Sequence, residues 1–183
     1  MQGSTAFGPD KREQGRKTGR LYPGRPEMKP RPEGRSIWAD GLLAGVVAGG
    51  LSGLPSTLHA LLTGRDPLAA ARAAGNLLLP ADSSPAALLM AGGLTHGAIS
   101  LGWGCAVAEF VRIAAVRRTS PGPQALVTGA IAGAAIAALD LGLLAHGPAG
   151  RRWPLIRALP VGPQILDHIA FGAVAAAVAQ RPR

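Results

Sequence analysis

At 183 residues, with 48% hydrophobic but only 4% aromatic and 16% charged side chains, the chain falls short of the roughly 25% charge of ordinary water-soluble domains. Its 26 glycines and 16 prolines point to helices that pack through small residues rather than around rings. The net charge of +9 would suit nucleic acid, but the charge is concentrated at one end and Phe7 and Tyr22 offer little stacking surface, which argues against a nucleic-acid partner.

Residues 1–36 carry nine Lys/Arg against four acids, five prolines and no apolar periodicity, a composition that predicts a disordered basic tail. Met28 is a second candidate start, which would leave Met28-Lys29-Pro30-Arg31 as a short basic leader. A cleaved signal peptide fits less well, because the following apolar run is too long and no Ala-x-Ala site closes it.

Four apolar segments long enough to cross a bilayer follow, at about 37–63, 85–112, 124–146 and 161–180. Pro55 is expected to kink or divide the first, and Pro85 suits the first turn of the second. The stretch 66–80 is too short to span and reads as an interfacial or re-entrant segment. Gly41, Gly45, Gly49 and Gly53 recur every fourth residue, which places them on one helical stripe. Each interior glycine costs about 1 kcal/mol relative to alanine, a penalty that close backbone packing in lipid can offset. Gly93, Gly97, Gly129 and Gly133 continue the theme, so the predicted fold is all-α, a four-transmembrane-helix bundle packed through small residues plus a short interfacial helix.

Orientation follows from the basic residues. With the tail inside, Lys/Arg number fourteen on the cytoplasmic side and five outside, so both termini are expected in the cytoplasm of a multi-pass protein. Trp38 and Trp153 suit the two aromatic belts, while Trp103 is deeper and suits a packing gap. The Ala-, Gly-, Pro- and Arg-rich composition suggests a GC-rich bacterial source and hence the plasma (inner) membrane. Two halves also resemble each other: Gly45 to Gly49 matches Gly129 to Gly133, and the Arg-Pro loops at 64–80 and 150–160 are followed by His96 and His168. Such a duplication would stack both loops on the outer face.

Each span holds a histidine and a carboxylate. Asp40 and Glu109 fall near the cytoplasmic ends, where Arg35 and Arg112 can pair with them. His59 and His146 fall near the outer ends. Asp140 is about 9 Å deep and His96 about 16 Å, counting helical rise, with Asp167 and His168 a turn or two inside the fourth span. Ionisable groups at such depth face the protein interior and mark either interhelical hydrogen bonds or function, so His96, Asp140, Asp167 and His168 form the candidate buried polar site. Arg65, Arg72, Arg151, Arg152 and Arg157 form a candidate anion or lipid-headgroup site on the outer face.

No cofactor or metal is implied. His-x₃-His and Glu-x-x-His pairs are absent, and small side chains leave little room for a macrocycle. Cys105 is the lone cysteine and reads as a packing residue. No Walker lysine loop, His-Glu-x-x-His or Gly-x-Ser-x-Gly occurs. The first functional reading is therefore a structural or accessory integral membrane protein in contact with the lipid bilayer and its anionic headgroups, compatible with a homo-oligomer. The second is a small ion- or proton-coupled channel or transporter using the buried Asp/His groups. A membrane-embedded enzyme acting on lipid has only the outer Arg/His/Asp cluster in its favour.

Overall fold

The computed structural model describes residues 36–116 and 123–180, all within a compact unit, Arg35–Arg183, that is distinct from Met1–Gly34. The predicted disordered tail, apart from Ser36, lies outside the described residues, as do Arg117, Arg118, Arg181 and Arg183. The described residues form helices joined by turns, without strands. Four stretches are long and apolar enough to cross a membrane: Trp38–Leu62, Pro85–Ala114, Pro123–Ala145 and Val161–Ala179. This is the architecture of a multi-pass membrane protein.

The first stretch is divided, as Pro55 predicts. Helix α1 (Ile37–Ser52) starts at Ser36, whose Oγ accepts the Trp38 N–H at 3.3 Å. Asp40 sits in the first turn, where a carboxylate suits the positive end of the helix dipole. At Gly53 the ladder of helical bonds fails, and α2 (Leu54–Leu62) begins with Pro55 in its first turn. Pro55 has no N–H for the carbonyl four residues back, and its ring crowds that carbonyl. Gly64 closes the segment at φ 65°, a left-handed turn open to glycine because it lacks a Cβ.

The predicted interfacial segment is helical only over α3 (Ala69–Gly75). Asp66 Oδ1 accepts the Leu68 N–H at 2.9 Å, and its carboxylate pairs with Arg72 inside α3. Asn76 ends the helix, donating from Nδ2 to Leu79 O at 3.0 Å. The second span is one unbroken helix, α4 (Pro85–Val116), longer at its C-terminus than expected. The third starts as α5 (Pro123–Ala137) and continues as a wider, π-wound segment over Ala138–Ala145. Two elements were not foreseen in the connector that follows: a 3₁₀ turn, Pro148–Arg152, and α6 (Pro154–Arg157). Helix α7 (Val161–Ala179) completes the bundle and touches α1, α2, α4 and α5.

The core is built from small and β-branched side chains. Ala44, Ala48, Ala175 and Ala176 are fully buried, with Val107, Val111, Ile136 and Phe171 around them and Trp103 packed against the cluster. Large apolar residues instead cover the outside: Val46, Leu62, Met90, Leu94, Ile131 and Leu143 are all more than half exposed. Helices apolar on every side belong in a low-dielectric surround.

Two close helix pairs dominate, α1 with α4 and α5 with α7. A Cβ built on Gly41 would stand 2.7 Å from Cys105 Cα, one on Gly45 2.5 Å from Ser100 O, and one on Gly49 2.7 Å from Ser100 Oγ. Gly104 faces Gly45 from the other side. In the second pair Gly129 and Gly172 face each other, and Gly133 lies against the His168 backbone. The same device thus recurs at the positions matched between the halves. At Gly53, Gly93 and Gly97, in contrast, a Cβ would meet nothing within 4 Å, so these three expected packing positions do not pack within the described bundle. Helical phase is the reason: Gly92 and not Gly93 is turned toward α3, against Ala71 and Gly75, while Gly53 falls at the break.

Ala at Gly45 would drive a Cβ into backbone that cannot yield as a flexible side chain would. Gly45→Ala should therefore destabilise by about 1–3 kcal/mol, the usual scale of overpacking. Gly93→Ala, with open space around it, should be neutral or gain up to about 1 kcal/mol of helix propensity. Thermal unfolding of the two variants side by side in detergent reads the difference.

Candidate functional site

The break in the first stretch frees backbone groups inside an apolar bundle. The Gly53 N–H turns to Leu51 O, so the Gly49 carbonyl is open to another donor. The Ser56 N–H, which an unbroken helix would direct to Ser52 O, likewise needs a partner. Both are met by side chains from other spans. His96 on α4 approaches Gly49 O through Nε2 at 2.9 Å, and because a carbonyl only accepts, Nε2 is the nitrogen that carries hydrogen. Asp167 on α7 accepts the Ser56 N–H on Oδ1 at 2.9 Å. The carboxylate therefore caps the N-terminus of α2 from a neighbouring helix, where the dipole favours negative charge.

The next residue on α7, His168, has its Nδ1 2.7 Å from the carbonyl of Gln164, one turn earlier. That nitrogen is the donor, and the opposite nitrogen, Nε2, lies 3.4 Å from Asp140 Oδ2 on the π-wound segment. Both side chains of this pair are about one-quarter exposed, 23% and 24%. Asp167 and His168 are consecutive residues of α7. The four residues singled out from the sequence thus make contacts between spans: His96 and Asp167 meet the break in the first, and His168 on the fourth faces Asp140 on the third.

A further contact organises the end of the bundle that carries the connectors. Asn76 Oδ1, beyond α3, accepts the Leu155 N–H of α6 at 3.3 Å, which brings the two loops together. Between them lies a cavity of about 240 Å³ lined by Ser56, His59, Arg65, Asp66, Arg72 and Gln164 among apolar neighbours. Two of its lining residues also bond members of the candidate polar site, the Ser56 N–H to Asp167 and the Gln164 carbonyl to His168. Of the five candidate arginines, Arg65 and Arg72 reach this cavity, and Arg72 is engaged by Asp66. Arg151, Arg152 and Arg157 are exposed and do not line it. His146 closes its own helix end, with Nδ1 2.7 Å from Leu141 O. Glu109 and Arg112 form the i,i+3 ion pair that their spacing predicts, with Arg112 Nε donating to Oε2 at 2.9 Å.

Ser56 and Gln164 were missed in the sequence, and Gly49 was read there only as a packing position, because all three act largely through backbone atoms. A signal existed for Ser56: a proline inside a span must leave unmet groups near it, and a carboxylate on another span is a natural partner. No family model matches the chain, and no curated protein or solved structure matches it either.

Asp167→Leu should leave the Ser56 N–H unmet and destabilise by about 1–3 kcal/mol, while Asp167→Asn, which keeps an oxygen acceptor, should cost less. His96→Leu should cost less than Asp167→Leu, because Gly49 O also accepts from Ser52 Oγ at 3.4 Å. Denaturant titration of the three variants in detergent orders these costs.

Proposed function

We propose that this chain is a non-enzymatic integral membrane protein, structural or accessory in role, whose intramembrane acids and imidazoles specify how a broken first span docks on the other three. One observation carries the reading: Asp167 and His96 are engaged by backbone groups at the break, Ser56 N–H and Gly49 O. An unmet backbone group in hydrocarbon costs several kcal/mol, so these side chains select one register among otherwise similar Ala/Gly surfaces. The basic tail and the arginines of the loops favour a bacterial inner-membrane location with both termini in the cytoplasm and the connector end outside. There α3 would lie at the interface, and Arg65, Arg151, Arg152 and Arg157 would meet anionic headgroups. Open glycines at Gly93 and Gly97 offer a flat surface to a second copy of the chain.

A second reading, a small ion- or proton-coupled transporter, is favoured by the cavity that Ser56 and Gln164 help to line. Asp140→Asn separates the two. In the first reading the variant loses thermal stability and the parent moves no ions across proteoliposomes. In the second it folds and loses a proton or ion flux that the parent shows.

Orientation is checked independently by replacing Cys105 with Ala, introducing Arg151→Cys and labelling intact spheroplasts with a membrane-impermeant maleimide. Labelling without permeabilisation is the expected outcome.

A further inference from the structure

We infer that the Asp140–His168 pair is a one-proton binding site, and that the ion any coupling would use here is the proton. The inference names the ion of the second functional reading, but it concerns equilibrium binding and stands without flux.

The hydrogen-bond geometry sets the stoichiometry. His168 Nδ1 faces the Gln164 carbonyl at 2.7 Å, an acceptor with no hydrogen to give, so Nδ1 keeps its hydrogen in every state that retains this bond. In neutral His168 the nitrogen facing Asp140 is consequently a bare lone pair, and ionised Asp140 opposite it, 3.4 Å away, offers only lone pairs. Two acceptors facing each other cannot bond. One added proton resolves the conflict, either on Nε2, giving imidazolium against carboxylate, or on Asp140, giving a carboxylic acid that donates to imidazole. Either placement leaves the same charge on the pair, so the two residues bind that proton as a unit.

A metal ion would require more than this pair supplies. Calcium-type sites take six to eight oxygens and zinc sites three or four protein ligands, and among the described residues no three His, Cys, Asp or Glu side chains converge in that way. The other ionisable groups near α7 have separate roles. Asp167 on the same helix is held by Ser56, His96 on α4 by Gly49 O, and His146 by Leu141 O. His59 on α2 lines the cavity, while Asp40 and Glu109 sit in the first turn of α1 and the last turns of α4. Gln164, whose carbonyl is bonded to His168, also lines the connector-end cavity.

The test uses full-length protein carrying ¹⁵N-histidine in detergent micelles, with the His168 signal assigned by its loss in His168→Gln. At high pH wild-type His168 should be the Nδ1-protonated neutral tautomer, and on acidification it should gain hydrogen on Nε2. Removing the opposing carboxylate by Asp140→Asn should move the pH of that step by at least about one unit, the scale of a charge within 4–6 Å, whereas Asp82→Asn on the connector should leave it in place. Adding 100 mM sodium or potassium at constant ionic strength should not displace the step. An Nε2-protonated neutral tautomer, or a step insensitive to Asp140→Asn, overturns the pair. Displacement by sodium or potassium overturns the proton as its ion.

Discussion

The structure depends on a single local failure, the interruption of the first span between Gly53 and Ser56. In water such a break would be trivial, because solvent would take up the released amide and carbonyl. Within a bilayer, between helices whose outer faces are Leu, Val and Ile, such groups must find protein partners. Asp167 and His96 are those partners. Their presence in an otherwise apolar bundle therefore has a physical cause, and it ties the first span to the second and fourth at fixed heights.

Around that constraint the bundle is assembled from two similar helix pairs. In each, glycines on the first helix let it settle against the backbone of the second, Gly45 against Ser100 and Gly104, Gly129 against Gly172. In each, a histidine stands beside the lower glycine: His96 by Gly49, His168 by Gly133. The halves then diverge. In the first the imidazole meets a backbone carbonyl released by a proline break. In the second it meets a carboxylate, Asp140, on a π-wound turn. A packing contact in one half is thus an ionisable pair in the other, and the cavity between the connectors lies on the side of the bundle from which Gln164 and Ser56 reach both. Wide helical turns of this kind recur at functional sites.

The arginines illustrate how charge is divided between roles. Arg72 is drawn down to Asp66 and braces the turn before α3, so its charge is partly neutralised within the protein. Arg151, Arg152 and Arg157 remain exposed on short helical turns. Of the five candidate arginines, Arg65 and Arg72 line the cavity between the connectors, which meet through Asn76 and Leu155.

Hydropathy and length were enough to place the four spans, since an apolar run of some twenty residues has few alternatives to a helix across a bilayer. Pro55 announced the break for the same kind of reason: a missing N–H is a property of the residue itself. The ladder of Gly41, Gly45 and Gly49 was legible as a face, and the depth of His96, Asp140, Asp167 and His168 marked them out by their cost. Tertiary packing decided the remainder. A period of four does not say which neighbour a glycine stripe will meet, and one residue of helical phase exchanged Gly93 for Gly92. Nor could composition pair Asp140 with His168 or Asp167 with Ser56, because those partners lie on separate spans and are brought together only by the rotation and height of each helix in the bundle.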